Sequence, residues 1–439
     1  MKHFLRILFF LLLTNTANSQ VSKSINLSTA GTLTTLLTSE EKNTITTLII
    51  SGNIDASDIK CIRVEIANLN YLDLSNANIT AYNGTGGTTS TVTSYPADEM
   101  PTYSFYSTYT GAKVSLRTII FPSTLKSIGS YSFYLCTGLT GNLVLPSSLI
   151  SIQDYAFYRC TGLTGTLILP NSVTSTGNST FYYCNGLTGL KLSDSLTSVG
   201  NYVFQYCGNL TGNLSIPNTV TSIGYSAFNG CKITGSLILP NSLTNLNDYA
   251  FNGCTGLTSV TIPNSLSIIG PSVFLGCSGL TTVTIGSSVH TIREFAFSSC
   301  TNLKTIYCLN SNPPVLGDRC FILVTPTSVY VPAASITAYK AAPGWSDYFS
   351  SVIKALNTAL PIETIDVVKM YPNPCTDNIR IMGIKDNVLL EIFDVHGRNV
   401  ITKQIVNDES ISLNMLEKGV YITKITGLTG TIKKRIVKE

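Results

Sequence analysis

The residues with the most chemistry to offer are eight cysteines on a near-constant spacing. Cys136, Cys160, Cys184, Cys207, Cys231, Cys254, Cys277 and Cys300 follow one another at intervals of 23 or 24 residues. A thiol can ligate a metal, close a disulfide, or fill a core as a small apolar group. Metal sites need ligands converging on one point, whereas one cysteine per interval gives a line. Disulfides between neighbouring repeats remain geometrically open, because strands lie ~4.8 Å apart and bridged Cα atoms sit within about 4.4–6.8 Å. The expected state is a file of buried free thiols. Histidine contributes little: His3 sits in an apolar leader, His290 at a variable position of a repeat, and His396 near the C-terminal end. No nucleophilic serine motif or carboxylate pair stands out. Asp154 and Asp248 occupy equivalent positions where turn chemistry accounts for them. The sequence therefore names no catalytic residue, no cofactor and no metal ligand, and the expected protein is not an enzyme.

Tyrosine is the other patterned residue. Tyr131, Tyr155, Tyr202 and Tyr249 each lie two residues before a recurring phenylalanine, Tyr134, Tyr158 and Tyr182 one residue after it, and Tyr183 and Tyr206 two after. If the repeats stack, these rings collect on one side, outside the core. A tyrosine offers contact area and a hydroxyl together, a combination enriched where proteins bind partners. The nine form a candidate binding stripe. The alternative is that the rings lie flat and cover neighbouring repeats.

The elements that position these residues follow from the rest of the period. A phenylalanine precedes each cysteine by three residues: Phe133, Phe157, Phe181, Phe204, Phe228, Phe251, Phe274 and Phe297. Prolines recur at Pro122, Pro146, Pro170, Pro217, Pro240 and Pro263. A fixed period in the twenties marks a solenoid with one supersecondary unit per coil. Leu257-x-x-Val260-x-Ile262 suits a short strand with one face inward, and Pro263 ends it because it cannot donate to a ladder. A second extended piece runs from Leu266 to Ile269. The Phe-x-x-Cys-x-x-Leu spacing then predicts a tight helical or 3₁₀ turn facing the core.

This unit closely resembles the BspA-type leucine-rich repeat, on residues such as Leu145-Pro146-Ser147-Ser148-Leu149 through Ala156-Phe157. The resemblance implies a surface protein. Gln153 stands where glycine is usual, Ser193 and Gly286 replace the proline, and Thr176 replaces an aliphatic. Looser coils are expected at the last three.

Composition sets the limits. At 439 residues the chain exceeds the ~250–300 that one core supports. With 44% hydrophobic and only 12% charged residues it is not a disordered chain. A formal charge of +4 is too small for a general nucleic-acid binder. Residues 1–19, with Lys2, Arg6 and the apolar run Leu5 to Leu13, read as a signal peptide. Nothing later is long and apolar enough to span a membrane. Residues 20–120 read as an N-terminal cap with irregular leucine-rich repeats, 121–307 as eight repeats, 308–356 as a C-terminal cap and 357–365 as a linker. Helices are expected from Leu33 to Lys42 and from Asp58 to Ile66.

Residues 366–439 differ in kind: they hold twenty charged residues, against ten from Phe121 to Leu309. Alternating runs such as Asn378-Ile379-Arg380-Ile381 predict antiparallel strands and a small Ig-like β-sandwich. Tyr371-Pro372-Asn373-Pro374, Gly397 within Asp394-x-x-Gly397-Arg398, Gly419-Val420-Tyr421 and the basic end resemble the C-terminal sorting domain of type IX secretion substrates. That resemblance implies recognition by the translocon and by a sortase, removal of the domain, and display or release outside the outer membrane. The fold expected is thus a mainly β leucine-rich-repeat solenoid followed by the sandwich. The function expected is adhesion or binding of an extracellular protein, with a glycan-binding or structural envelope role as the alternative.

Overall fold

The computed structural model describes residues 20–356, 369–382, 384, 388–395, 398–406, 409–427 and 430–439. The expected signal peptide and linker, His396 and Gly397 lie outside the described residues.

The repeats stack into a three-sided rod. In Leu257–Ile262 the side chains of Leu257, Val260 and Ile262 turn inward, and the strand stops at Pro263. The chain bends, forms the two-residue strand Ile268–Ile269 on a second side, and buries Ile269. Val273, Phe274 and Cys277 then fill the third side. From Gly235–Ile238 onward each front strand pairs in parallel with the next, so that Leu237, Val260, Val283, Ile306 and Val329 stand in register, while Gly165–Ile168 and Leu187–Lys191 form a parallel pair of their own. The second side does the same with Ile128 and Ile152, and further along with Val199, Ile223 and Leu246. Thr176 and Ser193 are buried like the residues they replace, and Ser193 Oγ accepts from the N–H of Ser195 at 3.2 Å. Gly286 is also buried, and a Cβ there would meet the Pro263 carbonyl oxygen at 2.6 Å. At Thr176 the second-side ladder keeps only the Ser175–Ser198 pair, and the Gly200 N–H turns to the Thr176 hydroxyl at 3.5 Å, so the pairing is thinner there although the side chains are buried.

The third side holds the tight turn, and its form is specific. The residues two before and two after each ladder phenylalanine are left-handed, with φ of 51–61° from Tyr131 to Leu323 wherever the residue is not glycine. This flips alternate peptide groups onto the rod axis. The N–H groups of Tyr131, Phe133 and Leu135 donate to the carbonyls of Asp154, Ala156 and Tyr158 in the next coil at 2.8–3.0 Å. The same three bonds recur at every following coil up to Phe321. The phenylalanine rings consequently lie in file, with centroids 5.0–5.7 Å apart from Phe105 to Phe321.

All twelve cysteines are free and buried. The repeat thiols do more than fill space. From Cys160 to Cys300 each Sγ–H donates to the carbonyl of the preceding coil's ladder phenylalanine at 3.1–3.2 Å. Cys136 reaches Phe105 at 3.5 Å. The thiol is thus a coil-to-coil hydrogen bond as well as a small hydrophobe. Burial pushes the Cys136, Cys207 and Cys300 thiols up to about 12 and those between them upward as well.

Both ends are sealed by different chemistry. At the N-terminal end Ser22–Leu27, Thr47–Ile54, Tyr71–Ile79 and Thr118–Ile120 form a four-stranded parallel sheet of their own. The single helix expected from Leu33 to Lys42 is two, Leu33–Leu36 and Ser39–Thr44. Leu37 is extended, and Thr38 with Glu41 forms a capping box that starts a new helix. The next helix runs Ala56–Val64, two residues earlier than expected, because Asp55 accepts from the N–H groups of Ser57 and Asp58 and so caps it. At the other end Trp345 and Phe349 pack on Phe321. Trp345 Nε1 donates to the Pro314 carbonyl at 2.7 Å, and the Tyr339 hydroxyl donates to that of Asn310 at 2.8 Å.

The tail is a sandwich of a three-stranded and a four-stranded antiparallel sheet around a core of its own. Its opening motif ties both ends of the domain together. Asn373 Nδ2 donates to the Arg435 carbonyl and its Oδ1 accepts from the N–H of Val437, at 2.8 and 2.9 Å. Tyr421 donates to the Glu417 carbonyl at 2.9 Å.

Three outcomes are expected of the rod. Thiol titration of chain unfolded without reductant finds twelve free thiols per chain, while the native rod reacts slowly because its thiols are buried and protonated. The thiols' contribution to folding stability stays level up to about pH 9 and falls as the pH rises from there toward about 12, because unfolded thiols ionise while buried ones keep their protons. A pH series of urea melts measures this. Gly253 has φ of 70°, and a Cβ there would meet nothing closer than Gly230 at 3.8 Å. Gly253→Ala therefore isolates the left-handed backbone and lowers stability by about 1 kcal/mol in the same melts.

Candidate binding surface

The left-handed residues that align the peptides also decide where the tyrosines stand. Tyr103, Tyr131 and Tyr155 occupy left-handed positions and Tyr134, Tyr158 and Tyr182 lie between such positions, and their side chains leave the rod on the turn side, outside the phenylalanine file. Two rows result. Tyr103, Tyr131 and Tyr155 stack at 4.8 Å with planes 10–11° apart. Tyr134, Tyr158 and Tyr182 stack at 4.7 Å with planes 6–11° apart, and Tyr106 leads them at 4.6 Å, tilted by 58°. The ring faces are therefore spent on one another, and edges and hydroxyls face solvent. All seven are half-buried.

The nine tyrosines singled out from the sequence all lie on this side, but they do not form one file. Tyr131, Tyr134, Tyr155, Tyr158 and Tyr182 belong to the two rows. Tyr183 and Tyr206 are exposed and meet edge-on at 6.2 Å, with Tyr206 also edge-on to Tyr182 at 5.8 Å. Tyr202 and Tyr249 join a separate tilted string through Tyr225, at 5.2 and 5.3 Å. The row of Tyr134, Tyr158 and Tyr182 stops because Gln205, Asn229 and Asn252 follow the later phenylalanines, and the row of Tyr103, Tyr131 and Tyr155 stops because Ser179 precedes Phe181 where tyrosine would continue it. Three members lie outside the nine: Tyr103, Tyr106 and Tyr225. The first two keep the repeat's spacing around Phe105 and were legible there; Tyr225 sits three residues before Phe228, off the pattern.

The electrostatics are spare. Arg159 is the one cation over these rings among the described residues, 5.2 Å from the centroid of Tyr183 and 5.7 Å from that of Tyr158, within the reach of a cation–π contact. Burial, then the neighbouring phenols, pushes Tyr131, Tyr134 and Tyr182 above the ordinary tyrosine range. The surface stays neutral and donates hydrogen bonds. His290 is exposed and its ring Nδ1 contacts Thr291 Oγ1 at 3.1 Å, with no catalytic partner among the described residues. No cluster of metal-ligating side chains occurs among the described residues, and no described helix is long and apolar enough to cross a membrane.

The stacked coils define a leucine-rich-repeat solenoid. Residues 98–234 and 232–341 match the BspA type leucine-rich repeat region in six copies, and 369–439 match the secretion system C-terminal sorting domain. The repeat match covers more than half of the chain, which belongs to the BspA type leucine-rich repeat family. The tail is a type IX sorting domain, and the protein is secreted or displayed at the cell surface. Among solved structures, a T. pallidum leucine-rich repeat protein is 26% identical, covering 37% of this chain and 77% of its own, with a TM-score of 0.34. A leucine-rich repeat protein from Bacteroides ovatus ATCC 8483 is 22% identical, covering 61% and 89%, with a TM-score of 0.32. Beta-agarase D of Zobellia galactanivorans is 30% identical over 117 residues, which are 26% of this chain and 23% of that enzyme, so the chain spans under a quarter of that curated relative.

The stacked phenols carry an expected signature. Alkaline titration followed by ultraviolet absorbance shows a group of tyrosines ionising later than free phenol. Tyr158→Ala uncovers Tyr134 and Tyr182 and moves part of that group back toward the ordinary range, because it removes their desolvation.

Proposed function

We propose that this protein is an adhesin: the type IX machinery carries it out of the cell, a sortase removes the tail, and the tyrosine rows bind an extracellular protein. One observation carries the reading. Seven tyrosines in two stacked rows present edges and hydroxyls at a repeat of 4.6–4.8 Å on a nearly uncharged surface. Such rings are already ordered, so a partner meets them at little further entropic cost. With ring faces covered by neighbouring rings, the rows suit hydrogen-bonding contact with a protein better than stacking of sugars along their length. The family and fold are those of binding scaffolds, and recognition without catalysis follows from the same features.

The test is the triple change Tyr134→Ser, Tyr158→Ser and Tyr182→Ser in cells that display the protein. Adhesion to immobilised matrix proteins is expected to fall at least tenfold, with the phenylalanine file and thermal melt retained. Unchanged adhesion with an intact fold discards the reading.

A further inference from the structure

The tyrosine rows begin at a cleft where the first coil meets the N-terminal cap. Its volume is about 490 Å³, inside the ~300–1,000 Å³ range of ligand pockets. One wall is the helix Ala56–Val64, with Lys60 and Arg63; another is the Thr-rich loop through Thr88 to Thr91; the third carries Tyr103, Tyr106 and the turn bearing Tyr109.

The cleft is built, not left over. Arg63 holds it together from within. Its Nη1 donates to the carbonyls of Tyr103 and Tyr106, and its Nη2 donates to that of Thr88 at 2.9 Å. Thr88 Oγ1 donates to the Thr102 carbonyl at 2.6 Å, and the Tyr95 hydroxyl accepts from the N–H of Thr89 at 3.1 Å. The loop, the helix and the first two tyrosines are thereby one unit.

Its chemistry is unlike that of the stripe. No carboxylate lines the cleft, so Lys60 and Arg63 leave it positive. Arg63 bonds only to carbonyls, which do not neutralise it, and its buried Nε has no partner among the described residues. Lys60 makes no ion pair among the described residues. The rest of the lining is hydroxyl groups and aromatic rings. Tyr109 is 90% exposed and pairs with no other ring among the described residues. Here, unlike in the rows, a tyrosine face is bare. A bare aromatic face takes the C–H face of a sugar ring, hydroxyl-rich walls take its hydroxyls, and an unpaired lysine takes an anionic group as a point charge.

We propose that this cleft binds an acidic saccharide, with a sugar ring on Tyr109 and its carboxylate or sulfate at Lys60. Arg63 is the positioning residue. The proposal rests on the reading of the protein as a surface recognition molecule, and it places a second ligand class at a second site.

The test is titration calorimetry on the full chain with three probes: a hyaluronan hexasaccharide, a chondroitin sulfate hexasaccharide and uncharged maltohexaose. One or both acidic probes are expected to bind at least tenfold more tightly than maltohexaose, and the two distinguish carboxylate from sulfate. Tyr109→Ala, at an exposed position that spares the fold, weakens binding at least tenfold. Lys60→Gln removes the preference for charge. The Tyr134, Tyr158 and Tyr182 serine variant binds the saccharide as the unchanged chain does, so adhesion and saccharide binding fail separately. The proposal is overturned if neither acidic probe binds, if both single variants bind unaltered, or if the serine variant loses the saccharide.

Discussion

Every part of this rod depends on the hydrogen bond from the N–H of a ladder phenylalanine to the carbonyl one coil further on. It recurs at 2.7–2.9 Å from Phe105 to Phe297. With its two flanking partners it orients three peptide groups per coil in one direction, carbonyls toward the N-terminal end. An ordinary sheet alternates these directions and has only a small net dipole. Here the alignment requires left-handed residues, which cost L-amino acids ~1–2 kcal/mol each. Buried peptide groups without partners would cost more, about 1–3 kcal/mol apiece. The strain is therefore held by the neighbouring coil, as expected of a repeat protein whose stability lies in its interfaces.

The same constraint explains the surface. Once the backbone repeats along the axis, any side chain at a given place repeats with it, and tyrosine rows follow automatically. Stacking in the rows is as close as in the core, 4.6–4.8 Å against 5.0–5.7 Å. Yet its outcome for recognition is opposite to that of isolated surface rings. Faces that would stack on a ligand are used up, and the bare face at Tyr109 lies in the first coil, where the rows start. The tail obeys another logic. Asn373 bonds the last strand near Arg435 and Val437, so the motif that marks the domain is also what closes it.

Much of this was legible. Cysteine and phenylalanine three apart, returning at a near-constant interval, specified stacked coils, and Phe105 and Phe321 prolong the file beyond the eight clear repeats. The terminal caps were harder. Glu40, Glu41 and Lys42 read as one helix with Leu33, but Thr38 found its own capping partner in Glu41 and split it. Tyr103 and Tyr106 were missed although their spacing from Phe105 was regular, since the coil around them lacks the cysteine that flags the others. Thr176 and Ser193 are buried like the residues they replace, which a single coil read without its neighbours does not reveal.

The amino-acid order alone determined the period, the identity of the ring that fills the core, the place where composition changes and the tail begins, and the scarcity of charge. These are local or periodic properties, readable from one residue to its repeat. Which peptide direction the turn takes, which phenol faces remain open, and that Lys60, Arg63 and Tyr109 share a cleft were decided only in three dimensions. They join residues from different elements, and nothing in their separation along the chain sets the distance between them.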